Sequence, residues 1–189
     1  MVTGLFLAGF SGVASALTIT KGTDTIDVGG EDTYTGKSAD LGNSGDDTVL
    51  DWLDGLFVDD ADWMIEWKTD VIKSTPFYNV YDGTDLQEKT YAFDLVKDTT
   101  YYVIKIGTGS LVKGTPDHYL FKNEDSINWA VFNFYDIPYG AGTLGDVDVI
   151  DIGRVSHITE VSPVPEPATM LLFGTGLAGL AAVARRRKN

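Results

Sequence analysis

The chain of 189 residues contains no cysteine. That excludes disulfide frameworks, cysteine-ligated zinc and thiol nucleophiles. It does not argue against export, because a core of adequate size holds together without disulfides. Histidine is nearly as scarce, with only His118 and His157. Positive charge is also short: 14 Lys plus Arg stand against 28 Asp plus Glu, a formal net charge of −14. Phosphate contacts need clustered Lys and Arg, so no nucleic-acid partner is expected. What is present is ordinary. With 43% hydrophobic, 12% aromatic and 22% charged residues, the composition is globular rather than disordered. The length allows one ordinary domain plus targeting segments.

The charge is not evenly spread. From Leu17 to Pro163 there are 10 basic and 27 acidic residues, a balance of −17. From Val164 to Asn189 there are four basic residues and one acidic, a balance of +3. An acidic body joined to a basic end points to two environments. The front end, residues 1–16, reads as a secretory signal peptide. Leu5–Phe10 is apolar, and Ala14 and Ala16 place small residues at −3 and −1, so cleavage after Ala16 leaves Leu17 as the mature N-terminus. No Lys or Arg precedes the apolar stretch; the expectation is an N-terminally truncated signal with a start codon upstream.

The C-terminal segment is more informative. Pro163-Val164-Pro165-Glu166-Pro167 carries three prolines, which remove donors and fix φ, so a stiff extended spacer is expected. Ala168 to Ala184 then runs without a charge. At the helical rise those residues span roughly 25 Å, the short end of what crosses a bilayer. Arg185, Arg186, Arg187 and Lys188 follow at once as a stop-transfer cluster, and the positive-inside rule keeps that end cytoplasmic.

Val164-Pro165-Glu166-Pro167-Ala168-Thr169, the Gly-containing apolar stretch and the terminal Arg cluster together resemble the PEP-CTERM sorting signal of exported proteins of Gram-negative bacteria. The resemblance covers residues 163–189 and implies processing by an exosortase, with Pro165, Glu166 and Pro167 as its recognition residues. It also implies transient residence in the inner membrane, then the cell surface or the extracellular space, with exopolysaccharide as a candidate partner.

The body, residues 17–162, is mostly strand-like. Runs rich in β-branched and aromatic residues occur at Leu17–Thr20, Trp63–Lys68, Tyr78–Tyr81, Thr90–Leu95, Thr100–Ile106, His118–Lys122, Trp129–Tyr135, Val147–Ile152 and Val155–Val161. Turn signals such as Asp82-Gly83 separate them. The expected fold is mainly β: an antiparallel β-sandwich, jelly-roll-like, with one short helix and a C-terminal transmembrane helix. Asn43-Ser44-Gly45-Asp46-Asp47 offers capping oxygens and early acidic residues that suit a helix N-terminus, with Val49, Trp52 or Leu53, and Leu56 at helical spacing; that helix is expected over one open end of the sandwich. The body also resembles, more loosely, a group of PEP-CTERM ectodomains. They share an Asp-rich lead into a Trp-containing helix, runs like His118–Lys122 and Trp129–Phe132, and a last strand like Ser156–Ile158. That resemblance implies architecture and location rather than chemistry.

Candidates for chemistry are few. Ser156, His157 and Asp151 compose a triad on paper, but adjacent strand residues point to opposite faces, and no Gly-x-Ser-x-Gly elbow is present. Glu66, between Trp63 and Trp67, is a candidate for glycoside hydrolysis; alternation puts Trp63, Ile65 and Trp67 on a core face and leaves Glu66 facing Lys68 in solvent. Asp146, Asp148 and Asp151 form a candidate weak calcium site, as does the Asp59-Asp60-x-Asp62 cluster, because calcium takes several hard oxygens. Tyr101, Tyr102, Tyr119 and Tyr135 are candidate sugar platforms. The leading expectation is an extracellular-matrix protein without catalytic activity and without a required cofactor. The alternatives are a carbohydrate-binding module and, third, a glycoside hydrolase.

Overall fold

A computed structural model describes residues 16–164 apart from 39, 43–44, 58–61, 71–74, 98, 108–114, 126–127, 140 and 149. The signal segment before Ala16, the apolar segment 168–184, and Asp59 and Asp60 therefore lie outside the described residues. Among those described, no helix is long and apolar enough to cross a membrane.

The strands are β1 (Leu17–Lys21), β2 (Asp24–Gly29), β3 (Thr33–Lys37), β4 (Trp63–Asp70), β5 (Tyr78–Asp82), β6 (Asp85–Asp94), β7 (Tyr101–Ile106), β8 (His118–Lys122), β9 (Trp129–Asn133), the short β10 (Pro138–Tyr139) and β11 (Gly142–Thr143), and β12 (Val155–Pro163); the helix α1 (Asp46–Leu56) falls between β3 and β4. They form two five-stranded sheets, β2-β1-β5-β6-β9 and β3-β8-β7-β12-β4, beside the β10-β11 pair. The pairings are antiparallel. Within the two large sheets three neighbouring pairs are consecutive strands, so this is a sandwich of hairpins and crossovers rather than a jelly-roll wrap. Two hairpins close on Gly-Thr loops, where Gly22 and Gly83 take φ of +69° and +61°. Two-residue hairpin loops need that sign at their first position.

The sheets meet over an aromatic core. Phe93 of β6 and Phe132 of β9 come from one sheet; Tyr102 and Ile104 of β7, Phe121 of β8 and Ile158 of β12 come from the other. Tyr102 stacks on Phe121 with ring centroids 5.4 Å apart and stands edge-on to Phe93 at 5.3 Å. Such pairs contribute about 0.5–1.5 kcal/mol each beyond buried area. The alternate residues of the second sheet are buried too. Val103, Leu120, Val161 and Trp63 pack under Val49 and Leu53 of α1. The helix thus covers the outer face of a sheet, not an open end of the sandwich. This double burial explains why β7 reads Tyr-Tyr-Val-Ile-Lys-Ile almost without alternation. The first sheet curls until β2 approaches β9, and Ile19, Val28, Val80, Ala92 and Val131 fill the roll.

Three other expectations change. The run Val147–Ile152 forms no strand among its described residues; it lies between 3-10 turns at Leu144–Asp146 and Ile152–Arg154. The side chains of Asp146 and Asp151 satisfy local N–H groups there and compete with ladder formation. Strand β9 stops at Asn133, whose side chain accepts the Tyr135 N–H at 2.8 Å and starts a 3-10 turn. The helix N-cap is Gly45, without a side-chain cap bond; Asn43 and Ser44 lie outside the described residues.

Where the chain crosses between sheets, buried carboxylates accept its backbone N–H groups. Asp32, on the β2–β3 crossover, is 4% exposed. Its side chain accepts from the Val131 N–H at 2.7 Å, the Tyr102 hydroxyl at 2.8 Å and the Glu124 N–H at 3.1 Å. Glu160 of β12 takes the Val96 and Lys97 N–H groups, both at 2.7 Å, on the β6–β7 crossover. Burial raises both carboxyls, Asp32 to about 6, against the lowering effect of the donors.

Folded Asp32 therefore holds its proton more tightly than the unfolded chain does. Its titration favours the fold fully below about pH 4, and that contribution is lost as the pH rises through 6. Asp32→Asn removes the titration and presents an amide N–H₂ to donors. We expect urea unfolding at pH 7 to show the variant less stable by about 1–3 kcal/mol. The wild-type advantage should be larger at pH 4 than at pH 7; a pH-independent difference would mean that Asp32 does not titrate in this window.

Candidate functional site: the tail exit and the opposite cleft

Strand β12 lies between β7 and β4 and runs the length of its sheet. At one end it leads into the C-terminal tail. Its ladder with β7 ends at Val161↔Tyr101, whereas its ladder with β4 continues through Pro163↔Trp63. Past that point the Val164 N–H donates to the Asp62 carbonyl at 2.6 Å. Pro163 is thus the last residue of a strand and not part of a free spacer. It is tolerated because no β7 partner remains to need its missing donor. Of the sorting residues only Val164 is described, and it is exposed; Pro165, Glu166, Pro167 and the cluster Arg185, Arg186, Arg187, Lys188 lie outside the described residues. Of the signal-cleavage pair, Ala16 is described and exposed, and Ala14 is not described.

At the other end of β12 a cleft of about 220 Å³ is lined by Gly42, Lys105, Ile106, Asp117, Ser156 and His157, among others. Here the register slips between Val155 and His157. The bulge brings Ser156 and His157 to the same cleft, against the expectation of opposite faces, with Oγ and Nδ1 3.2 Å apart. Asp151 Oδ1 caps a separate turn, accepting the Gly153 N–H at 3.0 Å. Ser156 Oγ donates to the Lys105 carbonyl, and the Gly107 N–H, which could have faced an oxyanion, bonds the Arg154 carbonyl at 2.8 Å.

The cleft's strongest polar contacts are structural. Asp117, 1% exposed, has one oxygen that takes the His118 Nδ1 at 2.7 Å, the Leu41 N–H at 3.1 Å and the Ser38 hydroxyl at 3.2 Å. Lys105 Nζ donates to the Gly42 carbonyl at 2.6 Å. Together they pin the segment that leads from β3 into α1. Burial lowers the His118 pKa despite the Asp117 carboxylate, so this ring, packed against Trp52, is neutral at pH 7. Sequence reasoning missed Asp32, Glu160 and Asp117. Only Glu160 left a signal, an acidic residue on the inward face that Ile158 marks.

The remaining candidates are dispersed. Asp146 accepts the Thr143 N–H and hydroxyl, both at 2.8 Å, in a capping box. With Asp151 committed elsewhere, Asp146, Asp148 and Asp151 do not converge; among the described residues no three His, Asp or Glu side chains could hold a metal ion. Of the four tyrosines, Tyr102 and Tyr119 are core residues, and Tyr101 packs against Phe57 and Trp63. Tyr135 alone of these is exposed, with its ring over Gly145 so closely that a Cβ there would stand 2.3 Å from it. They make no row of sugar platforms. Trp63 and Ile65 lie on a packed face as expected, but that face is covered by α1, and Lys68 pairs with Asp46 of the helix and not with Glu66.

Compared with known proteins, residues 163–188 match the family model of the PEP-CTERM protein-sorting motif. The motif implies an exported protein, anchored in the membrane in transit and processed by an exosortase. Comparison with curated proteins and with solved structures found no match.

If the cleft is a structural pin, Asp117→Ala should cost about 3 kcal/mol in urea unfolding, because it removes the shared acceptor of three donors, two of them buried, whereas Ser156→Ala should cost under about 1 kcal/mol. Equal losses would contradict it. Millimolar calcium should leave the thermal midpoint of the wild-type protein unchanged; a rise would reveal a cation site, since a ligand of the native state must stabilise it.

Proposed function

We propose that this chain, whose end carries the PEP-CTERM sorting motif, is a non-catalytic cell-surface or extracellular-matrix protein that associates with exopolysaccharide after exosortase processing. The observation that carries the proposal is the junction at Val164. The sorting motif begins on the last paired residue of a central strand, so the body ends where the address begins.

Two features support the non-catalytic part. Asp146 and Asp151 of the candidate metal group cap turns, and the buried carboxylates Asp32 and Glu160 are consumed by backbone N–H groups. The balance of −17 over residues 17–163 keeps the body soluble and self-repelling.

Fractionation of the native host with the full chain and with a chain ending at Val164 tests this. The full chain should mature to a smaller product outside the inner membrane, and should accumulate there unprocessed in a host lacking exosortase. The shortened chain should be exported without the membrane stage. A full chain that keeps its full mass, or that gives the same products with and without exosortase, would overturn the sorting part. A polysaccharide pull-down tests the matrix part, and failure to retain the mature body with the host's own polymer would overturn that part alone.

A further inference from the structure

Among the described residues five large hydrophobic side chains are exposed, and three of them, Met64 at 40%, Val96 at 54% and Val164 at 37%, fall at one end of the sandwich. Met64 opposes Ser162 near the end of the β4–β12 ladder. Val96 sits on the β6–β7 turn that Glu160 holds by two N–H bonds. Val164 is the point at which the chain leaves the body. Single exposed hydrophobics need no explanation, but a group around the exit of an apolar tail does.

Chain length says what faces that group. From Val164 to Ala168, where the uncharged run begins, there are four residue steps, at most about 14 Å fully extended. The headgroup layer on each side of a bilayer occupies roughly 5–8 Å of that distance. Val164 is itself fixed to the body by its bond to Asp62, so the body cannot lengthen the tether without opening its sheet. We propose that, while the tail is held in the membrane, this end of the sandwich docks against the lipid surface through Met64, Val96 and Val164. The proposal rests on the tail being a membrane anchor. The contact is apolar and not electrostatic, because the body is acidic, so it should form on uncharged phosphatidylcholine.

The absence of cysteine makes the test direct, because any single introduced cysteine is a unique labelling point. Full-length chains carrying Val96→Cys, Thr84→Cys or Leu172→Cys are labelled with one fluorophore. They are reconstituted in phosphatidylcholine vesicles that contain a headgroup-attached quencher. Thr84 lies in the β5–β6 loop, at the end of β6 opposite to the turn that carries Val96. Lys97→Cys, on the same turn as Val96, serves if Val96→Cys does not fold. The expected result is several-fold stronger quenching at Val96→Cys than at Thr84→Cys, unchanged in 0.5 M salt. Quenching at Leu172→Cys but no excess at Val96→Cys over Thr84→Cys overturns the docking and leaves the anchor standing. No quenching at Leu172→Cys overturns the anchor, and the docking with it.

Discussion

Asp32 joins the crossover on which it sits to a stretch 92 to 99 residues further on, at Glu124 of the β8–β9 connection and Val131 of β9. Through the Tyr102 hydroxyl it also reaches the aromatic stack between the sheets. A sandwich must pass its chain from one sheet to the other, and each passage leaves backbone N–H groups without a ladder partner. A carboxylate is suited to that place because it accepts several bonds and donates none when ionised. Burial penalises it, but losing it would strand several donors at once, which costs more. Glu160 repeats the solution on the β6–β7 crossover. The acidic composition of the body is thus partly internal: some of its carboxylates are structural acceptors and not surface charge.

The second sheet has a further constraint. Its core face packs on the first sheet and its outer face packs under α1, so its central strands cannot leave without opening two apolar layers. Strand β12 is one of these, flanked by β7 and β4. The tail therefore departs from a strand that is bonded on both edges. A pull along the tail loads those hydrogen bonds in parallel, in shear, instead of opening them one at a time as at a sheet edge. A membrane tether is best placed on such a strand, and the bond from Val164 to Asp62 extends the grip one residue past the ladder.

Much of this was legible in the sequence. Strands with strong β-branched and aromatic content, such as Tyr101–Ile106 and His118–Lys122, formed where expected, and the tail showed itself by the order of its three parts. Strands β2 and β3 were not anticipated, because Asp24–Gly29 and Thr33–Lys37 are polar, short and mostly exposed; pairing, and not intrinsic preference, makes them strands. Val147–Ile152 erred the other way, because side-chain capping by aspartates overrode its alternation. The helix was found but misplaced: an apolar stripe says that a face is buried, not against what. The Ser156–His157 contact depends on a bulge, and a one-residue slip in register leaves no mark in a single sequence.

The three clusters of the core draw on residues from Ile19 to Val161. Strand β12 contributes Val155, Ile158 and Val161 to that core and gains its last described partner at Val164. A cut in the segment that follows leaves those three side chains and the described β12 ladders in place. The described body thus holds its own core and its own ladders, which is what a removable address requires. The division of charge follows the same line. Net charge −17 belongs to residues 17–163, which end with strand β12, and +3 belongs to residues 164–189.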